Sequence, residues 1–179
     1  MIFYPIAAKN APPIPTNLIV FALSVIEEVC IGLLMGFAAS AIFSGAVIAG
    51  EFIAFNMGLG FAHFFDPSLG QTTTVLARFF YLTALLVFLI INGHHFLFEG
   101  LQLSYTYVSI GKLSFNESLF NQMILITKAM FIVAVKISAP AVVALFLTNV
   151  VLAILARVVP QMNVFLVGFP LQVSVGLVV

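Results

Sequence analysis

Few side chains in this sequence are equipped for chemistry, and their spacing excludes most of it. His94 and His95 are adjacent, while His63 stands apart with no cysteine near it. Neighbouring residues on a helix point about 100° apart, so His94 and His95 are badly placed to share one metal ion. With no HExxH string and a single cysteine, Cys30, no metal site is expected. The histidines are read as structural or interfacial. No serine stands in a GxSxG string, and no GxxxxGK[ST] phosphate loop occurs. Neither an enzyme nor a cofactor is expected, so any energy must come from partners or a proton gradient.

The unusual stretch is Glu51 to Arg78, EFIAFNMGLGFAHFFDPSLGQTTTVLAR. It separates two apolar segments, yet it carries Met, Leu and Phe where a polar connector would carry Lys, Ser and Asn. Met57, Gly58, Leu59, Gly60, Phe61, Phe64 and Phe65 form an apolar, glycine-punctuated run, and Asp66-Pro67 forces a turn. Such side chains can dewet and seal a narrow pore without a charged gate. Met57 is flexible enough to reseal around irregular cargo, and Gly58 and Gly60 can serve as hinges. The other reading is a re-entrant loop buried between subunits with no gating role. Glu51 and Arg78 bracket the run as candidate loop anchors. Either Glu51 or Asp66 pairs with Arg78 and clamps the loop base, or each charge is hydrated separately.

These residues are carried by a chain that is 63% hydrophobic and 7% charged, with mean hydropathy +1.26. Soluble domains are about a quarter charged, so this is a membrane-class composition. Six basic and six acidic side chains cancel, leaving no electrostatic footprint for nucleic acid. Cys30 has no internal disulfide partner. Met1 to Asn10 lacks the form of a signal peptide and reads as the tail of an earlier apolar segment. Gly176 to Val179 stops within an apolar run, so both ends of a longer protein are expected to be missing.

Pro12, Pro13 and Pro15 make a stiff connector, after which Thr16 or Asn17 can cap a helix. Leu18 to Asn56 has no proline, and Val29 to Gly50 has no charge, enough to cross roughly 30 Å of hydrocarbon. The whole segment is nearly twice too long for one crossing, so it must bend, tilt or leave the bilayer. Gly32, Gly36, Ser40, Gly45 and Ala49 recur at near four-residue spacing and suit a helix-packing face. Frequent Gly and Ala are also ordinary in membrane helices. Thr72, Thr73 and Thr74 supply caps for a helix from Val75 to Phe98, with a break or exit signalled at Asn92-Gly93. Arg78 in its first turn opposes the helix dipole, so an acidic partner or polar setting is expected. Leu103 to Gln122 reads as an interfacial connection. Ile124 to Ala153 is a third apolar segment holding Lys128, Lys136 and a Pro140 expected to kink it. Val164 to Val179 is the fourth. Basic residues fall on successive connections, so orientation is not set.

Several strings in this order resemble the FliR family of type III secretion export-gate proteins, which includes SpaR, EscT and YscT. They are Ala49-Gly50-Glu51-Phe52-Ile53, Met57-Gly58-Leu59, Asp66-Pro67, Leu76-Ala77-Arg78, Asn92-Gly93-His94-His95 and Asn149. They continue with Ala156-Arg157, Pro160-Gln161, Asn163-Val164-Phe165 and Val167-Gly168-Phe169-Pro170-Leu171. The resemblance covers essentially the whole chain, and His94-His95 favours the flagellar over the injectisome branch. It implies further apolar segments before Met1 and a further stretch beyond Val179.

The resemblance also implies assembly with FliP-like and FliQ-like subunits into a helical ring around a channel. Unfolded export substrates would cross the bacterial inner membrane there, with an FlhB-like protein at the cytoplasmic entrance. The family's plug loop maps onto Met57 to about Thr73. The expected fold is thus an all-α membrane-class protein of broken, kinked hairpins, with four apolar helical segments in one export-gate domain spanning 1–179. A secondary transporter is the rival function, but neither inverted repeats nor converging mid-segment polar groups are evident.

Overall fold

The computed structural model describes residues 17–61, 73–107, 117–161 and 163–179. His63, Phe64, Phe65, Asp66 and Pro67 lie outside them. The described residues are all-α, with no strand. They form α1 (Leu18–Asn56), a 3₁₀ turn (Leu59–Phe61), α2 (Val75–Ile90), α3 (Gly93–Tyr107), α4 (Glu117–Val158) and α5 (Val164–Val178).

Asn17 takes the cap of α1, its Oδ1 accepting from the Ile19 amide at 3.0 Å. No proline interrupts the next 39 residues, and they form one continuous helix. At about 1.5 Å per residue it is close to twice the length needed to cross hydrocarbon. It stops where Gly58 takes φ 81°, a left-handed angle that glycine adopts at helix C-termini without a Cβ clash.

The expected helix from Val75 to Phe98 is two helices. Asn92 has φ 56°, and the axes of α2 and α3 are bent by 73° at this point. Asparagine tolerates the left-handed region, and the Phe88 ring fills the space a side chain on Gly93 would need. Both residues of the Asn92-Gly93 signal are therefore used. The third apolar segment is longer than its hydropathy indicates, running 42 residues as α4 with Pro140 inside it. Glu117 in its first turn and Arg157 in its last suit the helix dipole, which carries the helix past its apolar portion at both ends. The Asn163 Oδ1 accepts from the Leu166 amide at 3.4 Å to cap α5.

By length and composition, α1 and α4 can each cross a membrane, and the bent pair α2 and α3 makes a third candidate span. Contacts group the chain into two compact units, one of residues 1–42 and 86–127, the other of 43–85 and 128–179. In the first, only Ala41 and Gly93 are buried among the described residues. The second holds a core of Ile53, Ala54, Met57, Leu76, Ala141 and Leu145, flanked by Leu59, Phe80, Val173 and Val175.

Candidate functional site

The last turns of α1 and the first turn of α2 meet backbone to backbone. Ala49 and Ala54 are wholly buried, and so is Ala77 on α2. A Cβ on Gly50 would lie 2.6 Å from the Ala77 Cα, so only glycine permits this approach. Gly45 sits similarly under α4, with the Met130 carbonyl oxygen 3.2 Å from where its Cβ would be. Small residues here let helices approach until their backbones touch.

That crossing sets a hydrogen bond in place. The Thr74 amide donates to Glu51 Oε1 at 2.8 Å, while Thr74 Oγ1 accepts from the Ala77 amide at 3.2 Å. Thr74 is the N-cap of α2 and is only 6% exposed. An unpaired amide at such a position costs about 1–3 kcal/mol, and Glu51 removes that cost. The carboxylate also stands at the positive end of the α2 dipole. Residues 58–73 therefore begin and end beside one fastened helix pair.

Met57 begins the run and has no exposed surface. Its side chain lies over Gly176 of α5, where a Cβ would come within 2.6 Å of the Met57 sulfur. Gly58 passes against the Phe169 ring and Gln172 of α5. Gln172 in turn donates from Nε2 to Asn149 Oδ1 on α4, a polar tie between two apolar helices. Gly60 follows, where a Cβ would lie 3.3 Å from the Phe55 ring. Beside this turn is a half-open cavity of about 500 Å³ lined by Ile53, Met57, Leu59, Val75, Leu76, Phe79, Phe80, Ile137, Ala141, Val173, Gly176, Leu177 and Val179.

The structure divides the other sequence-derived candidates. Gly45 and Ala49 are buried within the second unit, whereas a Cβ on Gly32 or Gly36 would meet nothing within 4 Å. Ser40 is exposed, directly before buried Ala41, and donates to the Phe37 carbonyl at 2.9 Å. Arg78 is exposed and forms no ion pair among the described residues. Phe61 closes the 3₁₀ turn. His94 and His95 have ring centroids 4.3 Å apart, and the described residues include no metal-binding cluster. Lys136 is exposed on α4. Thr74 was legible as a cap but not as the partner of Glu51. Asn149 stood out only through the family resemblance, and neither its pairing with Gln172 nor the contact at Gly176 was legible, because both depend on which helices meet.

The whole chain, residues 1–179, matches the family described as "Bacterial export proteins, family 1". It is 38% identical over 161 residues to the flagellar biosynthetic protein FliR of Bacillus subtilis, covering 88% of this chain and 62% of that protein. The FliR protein of Aquifex aeolicus is 36% identical, covering 95% of this chain and 66% of the relative. That of Escherichia coli is 34% identical, with 93% and 66% covered. The chain thus spans just under two thirds of the length of these relatives. With its all-α architecture and membrane-length helices, the chain belongs to family 1 of the bacterial export proteins, together with the FliR proteins.

Proposed function

We propose that this chain is a subunit of the flagellar protein export gate, a transport component and not an enzyme. The observation that carries the reading is the match across all of residues 1–179 to the export family, with relatives named as flagellar biosynthetic proteins. In the bacterial inner membrane at the flagellar basal body, it packs with FliP-like and FliQ-like subunits around a channel for unfolded export substrates. An FlhB-like protein sits at the cytoplasmic entrance. The exposed apolar surface of α1, including Val29 and Leu33, is suited to contact with such partners or with lipid.

Within that assembly, Met57, Gly58, Leu59, Gly60, Phe61, Phe64 and Phe65 seal the channel, and Asp66-Pro67 turns the loop back. Buried Met57 holds the loop's first residue to α5. Glu51 anchors the base through the Thr74 amide. Exposed Arg78 remains the cation for a second anchor, with Asp66 as its acidic counterpart. A loop held at both ends, with apolar residues between them, suits a seal that must move for cargo and return.

The test replaces Gly58 to Phe65 with a Gly/Ser linker in the assembled complex and measures inner-membrane ion leak. The expected result is increased conductance with partner subunits still co-purifying. Unchanged conductance in an intact complex would sink the sealing role, and purification without FliP-like and FliQ-like subunits would sink the assembly itself.

A further inference from the structure

α5 is apolar except for two side chains, Gln172 and Ser174, and these bond differently. Ser174 Oγ donates back to the Pro170 carbonyl of its own helix at 2.8 Å. Gln172 reaches out, donating from Nε2 to Asn149 Oδ1 on α4. Among the described residues it is the one α5 side chain hydrogen-bonded to another helix. About one turn away, Gly168 admits Leu152 of α4, whose Cδ1 lies 3.1 Å from where a Cβ on Gly168 would be. Apolar contact of that kind is non-directional, so an apolar helix can shift along its neighbour and still bury similar area. A hydrogen bond between two amides is lost on such a shift. One polar residue in an apolar helix interface therefore specifies register.

The stripe of α5 that carries Gln172 also meets the end of α1. Phe169, Gln172 and Gly176 stand at i, i+3 and i+7, which share one side of a helix. Met57 lies over Gly176, while Gln172 Oε1 and the Phe169 ring lie 3.7 and 3.8 Å from where a Cβ on Gly58 would be. With Nε2 held by α4, the Gln172 amide has its other arm at Gly58. Glycine adopts negative φ about as readily as positive, so nothing intrinsic holds Gly58 at φ 81°. That angle is set by what packs against residues 57 and 58, which includes α5. A one-turn slip bringing Gln172 to the level of Gly176 would displace Met57, since a Cβ there falls 2.6 Å from its sulfur.

We infer that Asn149 and Gln172 are positioning residues, whose hydrogen bond pins α5 in register on α4 and so aims Phe169 and Gly176 at the first two residues of the loop. The pin rests on these contacts alone. Its consequence for a channel rests on the reading of Met57 to Phe65 as the seal.

The experiment uses the assembled export complex with cysteine-free partner subunits and Cys30→Ser in this chain. Nitroxide labels are attached at Phe52→Cys on α1 and Leu166→Cys on α5, both exposed positions, and pulsed EPR reads the distance between them. With Asn149 and Gln172 intact, one narrow distance is expected. Gln172→Leu and Asn149→Leu should each add a second population displaced by several Å, one helical turn being about 5.4 Å. Asn149→Asp keeps the acceptor oxygen and should give the single distance again. The double leucine variant leaves no amide unpaired, should match either single variant, and carries the test should a single variant fail to fold. One unchanged distance in the leucine variants would overturn the pin. Ion leak through the same variants separates the pin from the seal. A displaced α5 with unchanged leak supports the pin and counts against the seal, whereas raised leak at an unchanged distance overturns the pin and leaves the seal.

Discussion

Glu51 near the end of α1 and Thr74 at the start of α2 are joined by a 2.8 Å hydrogen bond from the Thr74 amide to the Glu51 carboxylate. The bond spans 23 positions in sequence. It forms because Gly50, the residue before Glu51, lets the α2 backbone come down onto α1. One glycine therefore determines whether a carboxylate reaches a helix N-terminus.

Glu51→Ala should destabilise the protein by about 1–3 kcal/mol, the cost of leaving the Thr74 amide unpaired. Glu51→Gln keeps an acceptor oxygen and should recover most of that loss. Denaturant titration in detergent separates the two, and equal losses would show that the hydrogen bond is not the cause.

Gly50→Ala and Gly32→Ala should have opposite signs. At Gly50 the new methyl meets backbone, which cannot rotate away, and overpacking of this kind costs about 1–3 kcal/mol. At Gly32 nothing lies within 4 Å, so alanine should raise helix stability by roughly 0.5–1 kcal/mol in the isolated chain. Thermal unfolding of both variants provides the comparison.

Met57→Ala removes a side chain with no exposed surface and should cost about 2–5 kcal/mol. Gly176→Ala should also destabilise, since its methyl displaces the Met57 thioether. Combined, they should cost less than their sum by about 0.5–3 kcal/mol, because the alanine at 57 vacates the space the alanine at 176 requires. Additive losses in a double-mutant cycle would place the two residues out of contact.

Leucine at both Gly32 and Gly36 should leave the isolated chain folded, since each position faces open space. In cells producing the other gate subunits, the same variant should lower their co-purification several-fold if this face receives partner helices. Recovery equal to the unmodified protein would remove Gly32 and Gly36 from the assembly surface.

Helix boundaries were legible where a local chemical rule governs them. Asn17 and Thr74 cap because their side-chain oxygens reach amides two or three residues ahead. Asn92-Gly93 breaks a helix because both residues suit the backbone that a sharp bend needs. The ends of α4 were less legible, since hydropathy marks the apolar portion and says little about polar turns that continue a helix. The small-residue pattern did not reveal its own division. Gly32 and Gly45 belong to the same repeat, but among the described residues only Gly45 has another helix against it.

Composition and local rules determined that this is a helical, membrane-class chain, where most of its helices begin and end, and that an apolar loop interrupts them. Those properties follow from solvent preference and from contacts within a few residues. Only the tertiary structure decided that Glu51 meets Thr74, that Met57 rests on Gly176, and that Asn149 meets Gln172. Each of these depends on which helices approach and how closely, and backbone approach is set by side chains absent at Gly45, Gly50 and Gly176 together. A missing side chain has no pattern in the sequence that names the surface it will admit.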